Sequence, residues 1–126
     1  MALPITDHFR RRFFNATMAD ISAASSVYIT MPFRGRVVRA YVTIDAAITG
    51  ADSALTASII SGGTTTAITG MTGTAANSGS AAGNTFTMSD ATAANNFVDG
   101  DVVKLTTDGA SSTTAVAQWT LVVDTY

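Results

Sequence analysis

The chain has 126 residues, no cysteine, nine acidic residues against seven Lys and Arg, and a formal net charge of −2. That length holds one domain with a self-sustaining core, and without cysteine the core rests on neither disulfides nor a thiolate metal site. No apolar run approaches the roughly 18 residues of a membrane span, and the acidic balance weighs against a nucleic-acid-binding domain.

Glu is absent, Lys104 is the only lysine, Ala and Thr dominate, and Val is plentiful. Solvent-face helix formers are therefore scarce while β-branched residues are plentiful. All six arginines lie within residues 1–39, whereas seven of the nine aspartates follow residue 40. A basic front on an acidic body favours self-complementary or partner-directed contacts.

Residues 1–24 show no clean alternation and read as an N-terminal docking arm, extended or partly helical, ahead of a β-sandwich domain over 25–126. A short helix over Asp7 to Phe14, capped by Thr6 or Asp7, would put Phe9 and Phe13 on one face. It would need a neighbour to pack against. Arg10-Arg11-Arg12-Phe13-Phe14 meets a loose twin-arginine pattern, but Asn15 to Asp20 supplies no apolar stretch, so an export signal is not expected.

From Ser25 the period becomes two. Val27, Ile29 and Met31 alternate with polar residues until Pro32 and Arg34-Gly35-Arg36 break the run. Val38, Ala40, Val42 and Ile44 then face one way, and Arg39, Tyr41 and Thr43 the other. Leu55, Ala57 and Ile59 form the next strand, and Ser61-Gly62-Gly63 turns into a short strand over Thr64 to Ile68. Gly70 to Gly83 reads as a long surface loop because it is too poor in large apolar residues to order as a core element.

Phe86 and Met88 resume alternation, and one helical turn is allowed through Ala94. Asp99-Gly100-Asp101 leads into a strand with Val103 and Leu105 on its inner face. Asp108 to Ser112 is a strong turn signal, expected to join this strand in a hairpin to a last one over Thr113 to Asp124. That strand turns Ala115, Ala117, Trp119, Leu121 and Val123 inward, with Trp119 as core anchor. The sum is an all-β fold, an antiparallel β-sandwich of jelly-roll-like form.

Chemistry is harder to assemble. His8 is the only histidine, and there is no G-x-S-x-G or G-K-[ST] pattern to suggest hydrolase or phosphate-loop chemistry. Asp99 and Asp101, with Asp90, offer oxygen ligands for a hard cation, but Asp-Gly-Asp before a strand more simply fixes a turn. The expectation is a protein without catalysis, cofactor, metal or small-molecule substrate. Phe9, Arg10, Arg11, Arg12, Phe13 and Phe14, joined by Arg34 and Arg36, are the candidate partner-binding residues. Arginine forks pair with carboxylates, and aromatic side chains anchor interfaces. The competing reading has the phenylalanines plugging the open end of the chain's own sandwich.

The segments RVVRAYVTIDAAITGADSALTASIISGG and AANNFVDGDVVKLTTDGASSTTAVAQWTLVVDTY resemble the Ala/Thr/Gly-rich β-sandwich domains of tailed-bacteriophage virion proteins. The shared pattern is a GDVV strand start, a DGAS turn and a closing aliphatic strand. The resemblance covers roughly residues 36–126 and implies a head decoration (cement) protein. Such a protein binds the major capsid protein on the capsid exterior, commonly as a homotrimer, and stabilises the lattice without nucleic-acid or membrane contact. The alternative is a host-recognition or adhesin-type module of a head fibre or tail fibre.

Overall fold

The computed structural model describes residues 10–125. Among the described residues nine strands form: β1 (Arg10–Met18), β2 (Ser25–Thr30), β3 (Gly35–Ile44), β4 (Ser53–Ser61), β5 (Thr64–Ala75), β6 (Thr85–Thr87), β7 (Asn96–Phe97), β8 (Val102–Thr107) and β9 (Ala117–Thr125). The first sheet runs β1-β9-β3-β6, with β7 also on β3, and the second runs β2-β8-β4-β5. All pairings are antiparallel. Apart from the β4–β5 hairpin and short β7, successive strands change sheet, which is the order of a jelly roll.

Period-two burial makes the two sheets close on each other. Leu55, Ala57 and Ile59 of β4, Val103 and Leu105 of β8, and Ala117, Trp119, Leu121 and Val123 of β9 all reach the core. Trp119 is fully buried between Ala16 and Val42 in register. At about 25 cal/mol per Å² of apolar surface, this shared core is the main stabilising term.

Four expectations change. Residues 10–14 are strand, not helix, and the expected arm is, over Arg10–Met18, the edge strand of the first sheet, paired with β9 along its whole length. Its remaining part, residues 1–9, lies outside the described residues. The final two strands do not form a hairpin: β8 pairs with β2 and β4, and β9 with β1 and β3. Thr107 and Ser111 are buried on the way across, with Thr107 Oγ1 donating to the Ile21 carbonyl at 3.0 Å.

The third change concerns the Gly70–Gly83 loop. β5 continues to Ala75, and Ile68 to Met71 stand opposite Ala57 alone. Gly70, with φ 82°, makes that bulge. The bulge breaks the alternation yet buries Ile68, Met71 and Ala75. Last, a bulge between Val37 and Arg39 makes Val37, rather than Val38, the inward residue of β3.

The Gly62-Gly63 turn matches expectation, with φ of 57° and 82°, values that suit glycine in a tight β4–β5 connection. No helix forms around Ala94. Instead Ala91, Met88 and Asn95 bond their backbones to the edge of β3 between its β6 and β7 pairings, so the segment after β6 clings to the sheet and carries Asp90 to its face.

Candidate interaction surface

Side chains on the outer face of the first sheet stand in rows set by the antiparallel register. Arg11, Asp124 and Arg36 form one row; Phe13, Val122 and Arg39 the next; Asn15, Thr120 and Tyr41 the third; Thr17, Gln118 and Thr43 the fourth. Arg36 and Arg39 are three residues apart and would point to opposite faces of a regular strand. The bulge at Val38 puts both outside.

The charged row is an ion pair with two arginines. Arg11 Nε donates to Asp124 Oδ1 at 3.0 Å, and Arg36 Nη2 lies 3.6 Å from Oδ2. The bond from Arg11 holds the buried Asp124 carboxyl below its ordinary value, against the opposing effect of desolvation, and the charges of Arg11 and Arg36 add to it. One row on, Arg39 Nη2 donates to Asp90 Oδ2 at 3.2 Å and Nη1 to the Tyr41 hydroxyl at 3.3 Å. Arg11, Arg36, Arg39, Asp90 and Asp124, with Asn95 and Asn96, line an open recess of about 520 Å³.

Below the charges the rows are neutral and laddered. Thr120 Oγ1 donates to Asn15 at 3.0 Å, Thr17 Oγ1 to Gln118 at 2.8 Å, and the Thr43 and Thr85 hydroxyls meet at 2.9 Å. Such cross-strand side-chain pairs help to stabilise the sheet face. Phe13 is the exception on this face, 64% exposed beside Val122, which is only 3% exposed although it points out of the sandwich.

The proposed phenylalanine cluster divides. Phe14 turns inward and stacks at a tilt on Phe33, ring centres 5.8 Å apart, and Phe33 meets Phe97 at 6.1 Å. This row closes one end of the sandwich, as the plug reading has it for Phe14. Phe13 faces solvent, and Phe9 and His8 lie outside the described residues. Arg10 and Arg12 are exposed at the start of β1. Arg34 is exposed in the β2–β3 connection and lines a second recess of about 540 Å³ with Ile59, Phe97, Val98 and Asp101.

Three parts of the surface were not singled out in the sequence: the Arg39–Asp90 pair, the carboxylate of Asp124, and the Phe33–Phe97 partners of Phe14. Each joins residues distant in the chain, so only the register reveals them. Asp101 accepts the Val98 N–H at 2.9 Å while its own N–H bonds the Val98 carbonyl at 3.0 Å. With Gly100 at φ 92°, Asp99-Gly100-Asp101 acts as a turn. Among the described residues no group of three or more His, Cys, Asp or Glu side chains converges to hold a metal.

No protein-family model matches the chain, and no curated protein does at a significant level. Among solved structures it is similar to part of a CocE/NonD family hydrolase from Staphylococcus aureus, at a TM-score of 0.52 and 8% identity, over 90% of this chain and 32% of that one. That is a likeness of fold, and the chain spans about a third of the hydrolase. It is also similar to the capsid asymmetric unit of cyanophage Pam1, at a TM-score of 0.45 and 12% identity over 94% of this chain and 85% of that one. A third is the Gx strain of infectious bursal disease virus, at 0.42 and 12% over 93% and 33%.

Proposed function

We propose that this chain is a structural virion protein without catalysis, a decoration (cement) protein that seats on the outside of a tailed-phage head and joins neighbouring copies of the major capsid protein. The observation that carries the reading is Phe13, 64% exposed on a rigid sheet face in a row with Arg39 and beside the row of Arg11 and Arg36. Aromatic and arginine side chains supply most of the energy of protein interfaces. A hydrogen-bonded sheet presents them with little left to order on binding. The virion resemblance of residues 36–126 points the same way.

The mechanism is linkage. A clip that binds only the assembled, expanded lattice stabilises that state by its own binding free energy, raising the cost of separating subunits. Seated at three-fold sites as a homotrimer, it would do so symmetrically.

The test is co-sedimentation of the purified chain with expanded heads of the phage that encodes it. Wild type pellets with the heads, while Phe13→Ser, unchanged in thermal stability to within about 0.5 kcal/mol because the ring is exposed, binds at least tenfold more weakly. Heads that leave the wild-type chain in the supernatant would overturn the reading. The recess at Arg34, with apolar Ile59, Phe97 and Val98 beside Asp101, favours a second reading as a host-recognition module. Under it, an array of bacterial surface glycans captures the chain and Arg34→Ala abolishes capture.

A further inference from the structure

Charge is sorted by the two ends of the sandwich. Register puts Arg10, Thr125 and Gly35 in one row at one end. There Met31 N–H bonds the Asp101 carbonyl and Gly100 N–H the Met31 carbonyl, bringing the β2–β3 and β7–β8 connections to the same end. Arg10, Arg11, Arg12, Arg34 and Arg36 therefore gather at this end, with Arg39 a row further in. Asp124, Asp99, Asp101 and the Asp90 that pairs with Arg39 stand among them, so six arginines face four aspartates and the end keeps a positive excess.

At the opposite end Met18, Ala117 and Ile44 share a row, and the connecting loops carry Asp20, Asp45, Asp52 and Asp108. No Lys or Arg among the described residues stands there, since Lys104 lies within β8. These carboxylates are fixed in place by backbone N–H donors. Ala115 and Ser22 donate to Asp20, Val116 to Asp45 at 2.8 Å, Asn77 to Asp52 at 2.8 Å, and Ala54 to Asp108 at 2.9 Å. Asp45, Asp52 and Asp108 remain exposed.

We infer that the arginine end docks on the aspartate end of a second copy of this chain, in a head-to-tail contact. The complementary charges are both on this molecule, the aspartates held by backbone N–H donors and Arg11 and Arg36 by Asp124 before the copies meet. Like ends repel, which disfavours a two-fold contact through either end, whereas a heterologous contact repeats into a ring or an open series. Each end also exposes one valine for apolar contact, Val98 at 58% and Val116 at 37%. Because the charges are exposed and screened beyond about 10 Å at 0.1 M salt, the association is strongly salt-dependent.

Sedimentation velocity of the full chain tests this independently of any capsid. At about 20 mM salt the mass rises with concentration, and at about 500 mM it returns to that of one chain. Arg10→Glu with Arg12→Glu and Arg34→Glu makes both ends acidic. Ala47→Lys with Ala51→Lys and Ala110→Lys, all at exposed positions, sets three lysines against the four aspartates of the acidic end and cancels most of its charge, and the backbone N–H that Ala110 donates to Asp108 at 3.1 Å survives a side-chain change. Each variant alone is monomeric at low salt, and mixing the two restores association. The milder Arg12→Glu and Ala47→Lys each weaken self-association several-fold and serve if a triple variant loses its far-UV spectrum. A wild-type chain that is monomeric at both salts, or folded variants that self-associate as well as wild type, would overturn the inference. Failure of head binding in the preceding test leaves it standing.

Discussion

Asp124 occupies the centre of the charged row, buried between Arg11 and Arg36. Both guanidiniums reach water, so solvent screening holds the cluster to the modest worth of a surface ion pair. Its carboxyl is held below the ordinary 3.8, so its contribution is complete above that value and is lost as pH falls through the lowered folded value. Asp124→Asn should melt below wild type at pH 7, and the gap should close once acid has protonated Asp124 in both folded and unfolded chains. Melting curves from pH 7 to pH 2 check this, and a constant gap would assign the loss to packing. At this scale the sequence spoke for Trp119, whose inward parity needs only its own strand, but not for Asp124, whose partners lie in β1 and β3. The split of Phe13 from Phe14 is likewise simple parity, hidden because RRRFF offers no alternation to set its phase.

Among the elements, β1 is the one most altered by folding context. Arg10 and Arg12 occupy inward-parity positions at the exposed end of the strand, so only Phe14, Ala16 and Met18 follow the core pattern. Three arginines at the start of an edge strand also discourage edge-to-edge pairing with other chains. Truncation after Met18 should strip β9 of one neighbour along its whole length and expose the core, abolishing cooperative unfolding. Truncation after residue 9 keeps every β1–β9 pair and should leave a cooperative transition. Denaturant unfolding of the two truncations makes the comparison, and equal stability would show β1 to be dispensable. The missing half of β5 has a physical cause too. Gly73 lies against Met88, where a Cβ would come within 3.1 Å of its Cγ, so a residue that reads as loop in sequence makes room for a core side chain. The turn at Asp108 to Ser112 carries the chain from β8 to the other sheet, because a turn signal marks a reversal of direction without saying whether the chain returns to the same sheet.

Across the whole molecule, period-two alternation was enough to make the sandwich legible, because one buried face per strand is a local property. Strand order is not local. It follows from which connections cross between sheets, and that depends on Ser53, Thr107 and Ser111 finding partners in the loops, as when the Ser53 and Ser111 hydroxyls meet at 2.6 Å. The front-to-back charge imbalance of the sequence became an end-to-end one only because β1 and β3 run in the same direction on either side of β9, so that both begin at one end.

Pairing of Arg10 with Thr125 brings the two limits of the described chain together on the arginine side. A fluorescent or affinity tag fused at either limit would therefore crowd the arginines, and a negative binding result obtained with such a fusion would say little about the protein. Joining those limits by a short linker and reopening the chain within Ser78 to Ala82, on the aspartate side, moves the attachment point to the far end of the sandwich. Loops of this exposed kind tolerate such relocation. The rearranged chain should melt cooperatively near the parent temperature, and comparing tags at the two ends would then report which end of the molecule a partner covers.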